Sequence, residues 1–334
     1  MISSHTTGKI KSQASITGLG VYVPERVLSN HDLEKMVETS DEWITQRTGF
    51  RERRIAGEEQ YTSDLCIEAI KDMIQRYQVT IQDVDLIIVA TTTPDYPFPT
   101  VACMVQAHFG LHAGAIDISA ACAGFVYGLQ MANGMISAGL HKKVLVIGAE
   151  TLSKVTDYTD RSTCILFGDG AGCVLVEFDE EGSFITTQCG SVGEEGHHLY
   201  RTGLRNVIEG EKMLGNGNIY QNGREIYKWA VGTLPGEISS WMEKAEMTME
   251  DVDWFVPHSA NLRMIEAICK RIPYPLEQTL FSGEFYGNTS SATIPLAMEI
   301  GIREGKIQSG DKLLLYGFGG GLVYAGALIQ WKLD

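Results

Sequence analysis

"TIQDVDLIIVA", residues 80–90, and "TMEDVDWFVPH", residues 248–258, follow one pattern. Thr80, Asp83 and Asp85 fall over Thr248, Asp251 and Asp253 at an offset of 168, and each acidic stretch runs into an apolar, strand-like one. Two more pairs keep the same order and nearly the same spacing. "SITGLG" (15–20) matches "FITTQCG" (184–190), with Ile16 over Ile185 and Thr17 over Thr186, and "KVLVIG" (143–148) matches "KLLLYG" (312–317), both at an offset of 169. Chance can match one short apolar string; three in order point to a duplicated unit of about half the chain. The join falls near "EFDEEG", residues 177–182.

Within each half, apolar runs ("DLIIVATTT", "KVLVIGA", "CVLVEF"; "DWFVPH", "KLLLYGF", "LVYAGALIQW") alternate with helix-length segments such as 64–77 and 261–271. Continuous apolar strands separated by helices indicate α/β layers with substantially parallel sheet buried on both faces. The expected architecture is two sheets and their helices in layers about a pseudo-twofold axis. Its expected parts are a flexible N-terminal extension over 1–14, a first half over 15–180 and a second over 181–334.

The 334 residues carry a net charge of −15, which argues against general affinity for nucleic acid or an anionic membrane. Seven cysteines (66, 103, 122, 164, 173, 189, 269) are scattered, with neither CxxC nor Cys/His ligand spacing. Reduced thiols in the cytoplasm and no metal site are expected. The start "MISSHTTGKIKSQA" lacks a signal-peptide core. The uncharged runs 118–140 and 313–331 approach the length of a ~20-residue bilayer span. Their polar residues and glycines suit core helix and strand-turn-strand instead, so no membrane span is expected.

In "DISAACAGFVYGL", residues 117–129, Cys122 stands where a strand gives way to a helix. Free N–H groups and the positive end of a helix favour thiolate over thiol, and they can hold an oxyanion. From residue type alone Cys122 reads equally as a small core residue or a nucleophile. Shifting it by 168 or 169 lands on Ser290 or Ser291 in "SSATIPLAMEIGI", so the two apolar helices are expected to be partners near the axis, with Cys122 close to Asn288.

"DWFVPHSANLRMIEAI" (253–268) ends a strand at His258 and offers Ser259 or Asn261 as a helix cap. "FYGNTSSATIP" (285–295) holds Asn288 in a glycine turn, where it could simply cap the next helix. "YGFGGGLVYAG" (316–326) lets backbone pass close to a reacting centre, or merely turns between strands. Neither it nor "GLGVYVPE" has dinucleotide-binding spacing. Together, Cys122, His258 and Asn288 make a thiol-centred site.

With these motifs assembled, the chain resembles the β-ketoacyl-acyl carrier protein synthase III family, the initiating condensing enzymes of bacterial fatty acid synthesis in the thiolase superfamily. The resemblance runs from about Ile16 to Trp331 through "TSDEWITQRTGFRERRI", "ACAGF", "TDRSTCILFGDGAG", "VPHSANLRMIE", "YGNTSSATIP" and "GFGGGL". It implies a thiolase-like α-β-α-β-α fold. It further implies Cys122 as acyl-accepting nucleophile, His258 and Asn288 as the decarboxylation pair, and backbone N–H groups of Cys122 and Gly320 as oxyanion hole. Trp43, Arg47 and Arg161 would meet the adenine end of coenzyme A, with Asn261 along the pantetheine tunnel. Phe98 would line the acyl pocket of a partner subunit. Lys228, Arg263, Lys270 and Arg271 would receive an acidic carrier protein.

The implied partners are acyl-coenzyme A, malonyl-acyl carrier protein and a second copy of the chain. No metal or redox cofactor is implied. Two departures from the family pattern, Ser259 and Tyr227, lie near the implied tunnel. The rival readings are a related ketosynthase of a secondary-metabolite pathway, a thiol-dependent acyl hydrolase of papain type, and a non-catalytic acyl-binding module. The duplication and the lack of "CGSCW"-like context around Cys122 oppose the hydrolase.

Overall fold

Asp85 and Asp253, the second aspartates of the repeated motif, do the same work in both halves. In the computed structural model, which describes residues 11–208 and 210–334, the Asp85 N–H donates to the Lys143 carbonyl and the Asp253 N–H to the Lys312 carbonyl, each at 3.0 Å. Each carboxylate takes an N–H in return, from Lys142 and Lys312 respectively, both at 2.8 Å. The motif thus fastens the start of one strand to the start of its neighbour. The proposed extension over 1–14 lies mostly outside the described residues; the first strand begins at Ala14.

One sheet has the order Ala14–Tyr22, Asp169–Phe178, Lys143–Thr151, Leu86–Ala90, Gly114–Ile118. The other runs Phe184–Ser191, Val323–Gln330, Lys312–Gly319, Trp254–Pro257. The order is the same, and the missing fifth strand survives as a single parallel bridge from Phe255 to Thr279. The expectation of substantially parallel sheet is corrected: only Leu86–Ala90 with its two neighbours and Trp254–Pro257 with Lys312–Gly319 are parallel. The remaining main pairs are antiparallel. Lys312–Gly319 and Val323–Gln330 are joined by three residues, too few for the crossover that parallel strands need.

Alternation along each strand assigns side chains to layers. Ile88, Val144, Val146, Leu313 and Leu315 face inward to the helices Gly124–Ser137 and Thr293–Arg303, packing with Phe125, Leu129, Ile294 and Met298. Ile87, Val89, Leu145 and Ile147 face outward to the helices Thr62–Tyr77 and Val101–Phe109. Leu314, Tyr316 and Leu328 do the same towards Gly223–Lys244 and Leu262–Arg271. Both faces of both sheets are therefore covered, which is why the strands read as unbroken apolar runs. The two uncharged stretches are core, and among the described residues no helix is long and apolar enough to cross a membrane.

The two inner helices begin alike. Each follows a short 3-10 turn, Ala121–Ala123 or Ser290–Ala292, whose first residue is left-handed: Ala121 at φ 44° and Ser290 at φ 50°. Such conformations cost non-glycine residues about 1–3 kcal/mol and are held only where packing over-determines them. Each turn presses on the opposite sheet. A β-carbon on Gly317 would lie 2.7 Å from the Ala123 Cα, and one on Gly148, 169 residues earlier, 2.5 Å from the Ser291 carbonyl oxygen. Ser291, the repeat partner of Cys122, donates its hydroxyl to the Ala90 carbonyl at 2.9 Å.

Candidate active site

Cys122 occupies the middle of the first turn and is 8% exposed. Gly319 approaches it from across the axis: a β-carbon there would stand 3.0 Å from the Cys122 Sγ and 3.2 Å from its backbone nitrogen. Only glycine allows this strand end so near the thiol. The helix terminus predicts a depressed thiol pKa, yet burial dominates and pushes Cys122 up to about 12. The Ser290 hydroxyl and the thiol's own backbone N–H work against that rise, whereas the charge of Glu150 adds to it.

His258 ends the strand Trp254–Pro257, its N–H fixed to the Tyr316 carbonyl at 2.8 Å and its ring edge-on to Phe318 at 5.3 Å. It is 2% exposed, and burial lowers its pKa to about 3 against the weaker opposing pull of the Ser290 backbone, so the ring is neutral at physiological pH. Its Nδ1 lies 2.8 Å from the Thr293 Oγ1, which also stands 2.9 Å from the Ser290 carbonyl oxygen. A neutral imidazole has one donor nitrogen, and the partner of the other selects which. The single Thr293 hydroxyl proton is given to the Ser290 carbonyl in this arrangement; when it is turned to Nδ1 instead, Nε2 carries the ring hydrogen and can donate.

Asn288 is tied by its backbone to the other half: its N–H donates to the Leu166 carbonyl at 2.8 Å and its carbonyl accepts from Gly168 at 3.0 Å. Buried Arg53, from the "TGFRERRI" motif, donates to the Ile165 carbonyl at 3.0 Å just beneath. The Asn288 Oδ1 accepts the Ser290 N–H at 2.8 Å. Because a backbone N–H can only donate, the amide orientation is determined and Nδ2 is left with donors for a ligand.

Cys122, His258, Asn288, Ser290, Gly319 and Gly320 line one cavity of about 180 Å³, together with Asn261, whose Oδ1 also caps the helix Leu262–Arg271 by accepting the Met264 N–H at 2.8 Å. Trp43, Arg47 and Arg161 come together away from this lining. Ser40 caps the helix Asp41–Thr48, which carries Trp43 and Arg47 one turn apart, and the guanidinium groups of Arg47 and Arg161 stand 4.8 Å and 4.4 Å from the Trp43 ring centroid. Phe98 does not line the cavity and is 85% exposed.

The basic residues lie on two helices packed against each other, but Lys228 is paired with Glu225 at 3.3 Å, and Arg263 with Glu266 at 2.9 Å and the Gln46 carbonyl at 2.7 Å. Lys270 and Arg271 are exposed. Ser259 is buried and accepts from the Ser282 N–H at 3.0 Å, while Tyr227 is 40% exposed. Sequence reasoning passed over Thr293, which meets the His258 ring, and the backbone groups of Ser290 that hold Thr293 and Asn288.

Paired five- and four-stranded sheets enclosing two inner helices, with a cysteine at one helix-opening turn, define a thiolase-like α/β enzyme. Sequence models described as 3-oxoacyl-[acyl-carrier-protein] synthase III match residues 116–193, and the C-terminal part of that family residues 242–331. The chain is 61% identical over 324 residues to β-ketoacyl-[acyl-carrier-protein] synthase III 2 of Halalkalibacterium halodurans, covering 96% of this chain and 98% of that one. It is 59% identical to the protein of the same name from Bacillus subtilis, covering 96% and 100%. The crystal structure of β-ketoacyl-[acyl carrier protein] synthase III from Thermus thermophilus superposes with a TM-score of 0.92 at 45% identity, covering 95% of this chain and 99% of that one. The chain belongs to the 3-oxoacyl-[acyl-carrier-protein] synthase III family and is an acyltransferase of the condensing type.

Proposed function

We propose that the protein initiates fatty acid synthesis by condensing a short acyl-coenzyme A with malonyl-acyl carrier protein, giving 3-oxoacyl-acyl carrier protein, coenzyme A and carbon dioxide. One observation carries this reading: Cys122, His258 and Asn288 border a single cavity, and the Asn288 amide is oriented with its N–H groups free. In this reading the Cys122 sulfur attacks the acyl thioester while the N–H groups of Cys122 and Gly320 hold the oxyanion. Donors from His258 Nε2 and Asn288 Nδ2 then stabilise the enolate formed as carbon dioxide leaves. The resulting carbanion attacks the acyl-cysteine. A thioester supplies the electrophile and decarboxylation the nucleophile, so no metal or redox cofactor enters the scheme.

The same proposal assigns residues 15–180 to a half that carries the nucleophile and 181–334 to one that carries His258 and Asn288. Coenzyme A is read onto Trp43, Arg47, Arg161 and Asn261. The exposed ring of Phe98 is read as lining the acyl pocket of a second, dimer-related copy. Carrier protein is read onto Lys228, Arg263, Lys270 and Arg271; the exposed pairs of Lys228 and Arg263 hold these cations weakly in water. The cytoplasm is the proposed compartment, in keeping with seven unpaired cysteines.

The test is to incubate the protein with individual acyl-coenzyme A donors, look for acyl mass on the Cys122 peptide, and then add malonyl-carrier protein. An adduct that becomes 3-oxoacyl product supports the proposal; no adduct with any short donor, or release of free acid alone, overturns it. Two finer expectations follow. Trp43→Ala is expected to raise the KM for acyl-coenzyme A about tenfold with kcat little changed, by removing the ring that organises two guanidinium groups. Thr293→Val is expected to slow carbon dioxide release from malonyl-carrier protein ~10²-fold by releasing the His258 tautomer, with Thr293→Ser close to wild type.

A further inference from the structure

Three histidines meet a carboxylate: His31 with Glu34 at 3.2 Å, His141 with Asp85 at 3.1 Å, and His198 with Glu195 at 3.0 Å. Among the described residues, only the last pair gathers a third side chain able to ligate a metal. His197 and His198 are consecutive on the short 3-10 helix Gly193–His198, with ring centroids 3.9 Å apart. One ligand atom from each of Glu195, His197 and His198 lies within 4.8 Å of the other two. No lysine or arginine among the described residues forms a salt bridge with Glu195, so no side-chain cation competes for the cluster. The cysteines take no part in it, and their spacing therefore gives no sign of it.

The ligands are set by their surroundings. The His197 Nδ1 lies 3.1 Å from the Glu194 carbonyl oxygen; a carbonyl can only accept, so Nδ1 carries the hydrogen and Nε2 keeps the lone pair. A backbone carbonyl on the far nitrogen is the contact that orients a metal-ligating histidine. His198 is the more sheltered of the ion pair, its side chain 17% exposed against 43% for Glu195, and its carbonyl accepts the Asn222 N–H at 2.8 Å. The helix is pinned at both ends. Before it, Val192 exchanges N–H···O bonds with Leu322 at 2.8 Å and 3.2 Å; after it, Leu199 opens the strand Leu199–Arg201, paired with Ile219–Gln221. Along its length it lies against the glycine loop: a β-carbon on Gly196 would stand 3.0 Å from the Gly321 carbonyl oxygen.

We propose that Glu195, His197 and His198 bind a divalent transition-metal ion of the zinc type, outside the catalytic cavity. Two imidazole nitrogens and one carboxylate oxygen suit zinc, whereas magnesium and calcium take sets of oxygens. Three protein ligands leave one corner of a tetrahedron for water. The metal takes the place of the hydrogen between His198 and Glu195: on a neutral ring that hydrogen moves to Nδ1, and on a charged ring it passes to solvent. No electron is transferred. A chain of net charge −15 favours the cation over the long range as well. None of the three residues lines the cavity, but the next one, Leu199, does, and a β-carbon on Gly320 would stand 3.2 Å from its Cγ. The ion would thus brace the outer end of the cavity wall without entering the reaction.

The test is titration of the full, reduced chain with zinc against a chromophoric chelator. No acyl donor is present, so the outcome is independent of the proposed function. One ion per chain is expected. His197→Ala and His198→Ala are each expected to weaken binding at least about tenfold, and so is Glu195→Gln, which keeps the shape of the side chain and cannot fail merely by disturbing the turn. His31→Ala, from a pair without a second imidazole, should bind as the wild type does. Cobalt in place of zinc should show visible bands without the near-ultraviolet charge transfer of a thiolate ligand. Wild-type affinity in the two histidine variants, or a thiolate band, puts the ion on the cysteines and overturns the site. Failure of the wild-type chain to bind one ion also overturns it, and either result leaves the condensing function untouched.

Discussion

Cys122→Ser is expected to lower acyl transfer by at least about 10⁴-fold, leaving the fold intact. The hydroxyl fits wherever the thiol does, and Ser291 already occupies the equivalent place in the second turn. What is lost is ionisation. A thiol held at about 12 by burial is within reach of a nearby base; an alcohol in the same pocket is several powers of ten further away. The serine variant should still bind acyl-coenzyme A with near wild-type affinity, measured by equilibrium titration. Retention of more than about 1% of wild-type transfer would remove Cys122 from the role of nucleophile.

His258→Ala and Asn288→Ala are each expected to reduce malonyl decarboxylation ~10²–10³-fold, with acylation of Cys122 changed by less than about fivefold. Each removes one donor aimed at charge that develops only as carbon dioxide departs, in a water-poor cavity where such a donor counts most. The rings and amides around them are held by other elements, His258 by Tyr316 and Phe318, Asn288 by Leu166 and Ser290. Truncation should therefore leave the turn bearing Cys122 in place. Carbon dioxide release and acyl mass on the Cys122 peptide, taken on the same preparation, separate the two steps; equal loss of both would refute the assigned roles. His258 is neutral across the working range, its pKa driven down to about 3, so decarboxylation should show no loss as pH falls through 6.5, the ordinary histidine value.

Much of this organisation is legible before any coordinates. The repeat is visible because its residues have fixed tasks: Thr248 and Asp251 close a turn on each other, while Asp85 and Asp253 each fasten one strand start to its neighbour. The layers are visible because strands covered on both faces admit no polar residue, as in the run from Leu86 to Ala90. The mixed strand directions are less legible, since alternation looks alike in parallel and antiparallel sheets and only the length of the linking segment decides.

The thiol environment illustrates what remains hidden. A helix start can be read from "ACAGF", but the burial that outweighs it comes from Gly319 and the opposite half. Thr293 and Ser290 lie in a string of small hydroxyl residues in which nothing distinguishes one from another. Their importance arises only when His258 arrives from a strand far away in sequence.

The Ser291 hydroxyl, bound to the Ala90 carbonyl, stands where the other half has the Cys122 thiol. The repeat sets Ser291 over Cys122 at an offset of 169 and Ala90 under His258 at an offset of 168, so the mirror position has neither thiol nor imidazole. Two equal halves would seat two nucleophiles back to back on the axis, each crowding the other's charge. The second turn instead serves the first: Ser290 orients the Asn288 amide through its N–H and holds Thr293, beside His258, through its carbonyl. The duplicated chain should accordingly take up one acyl group, not two. Substitutions in the silent turn should be felt as defects of the chemistry at Cys122, although no residue of that turn is the one acylated.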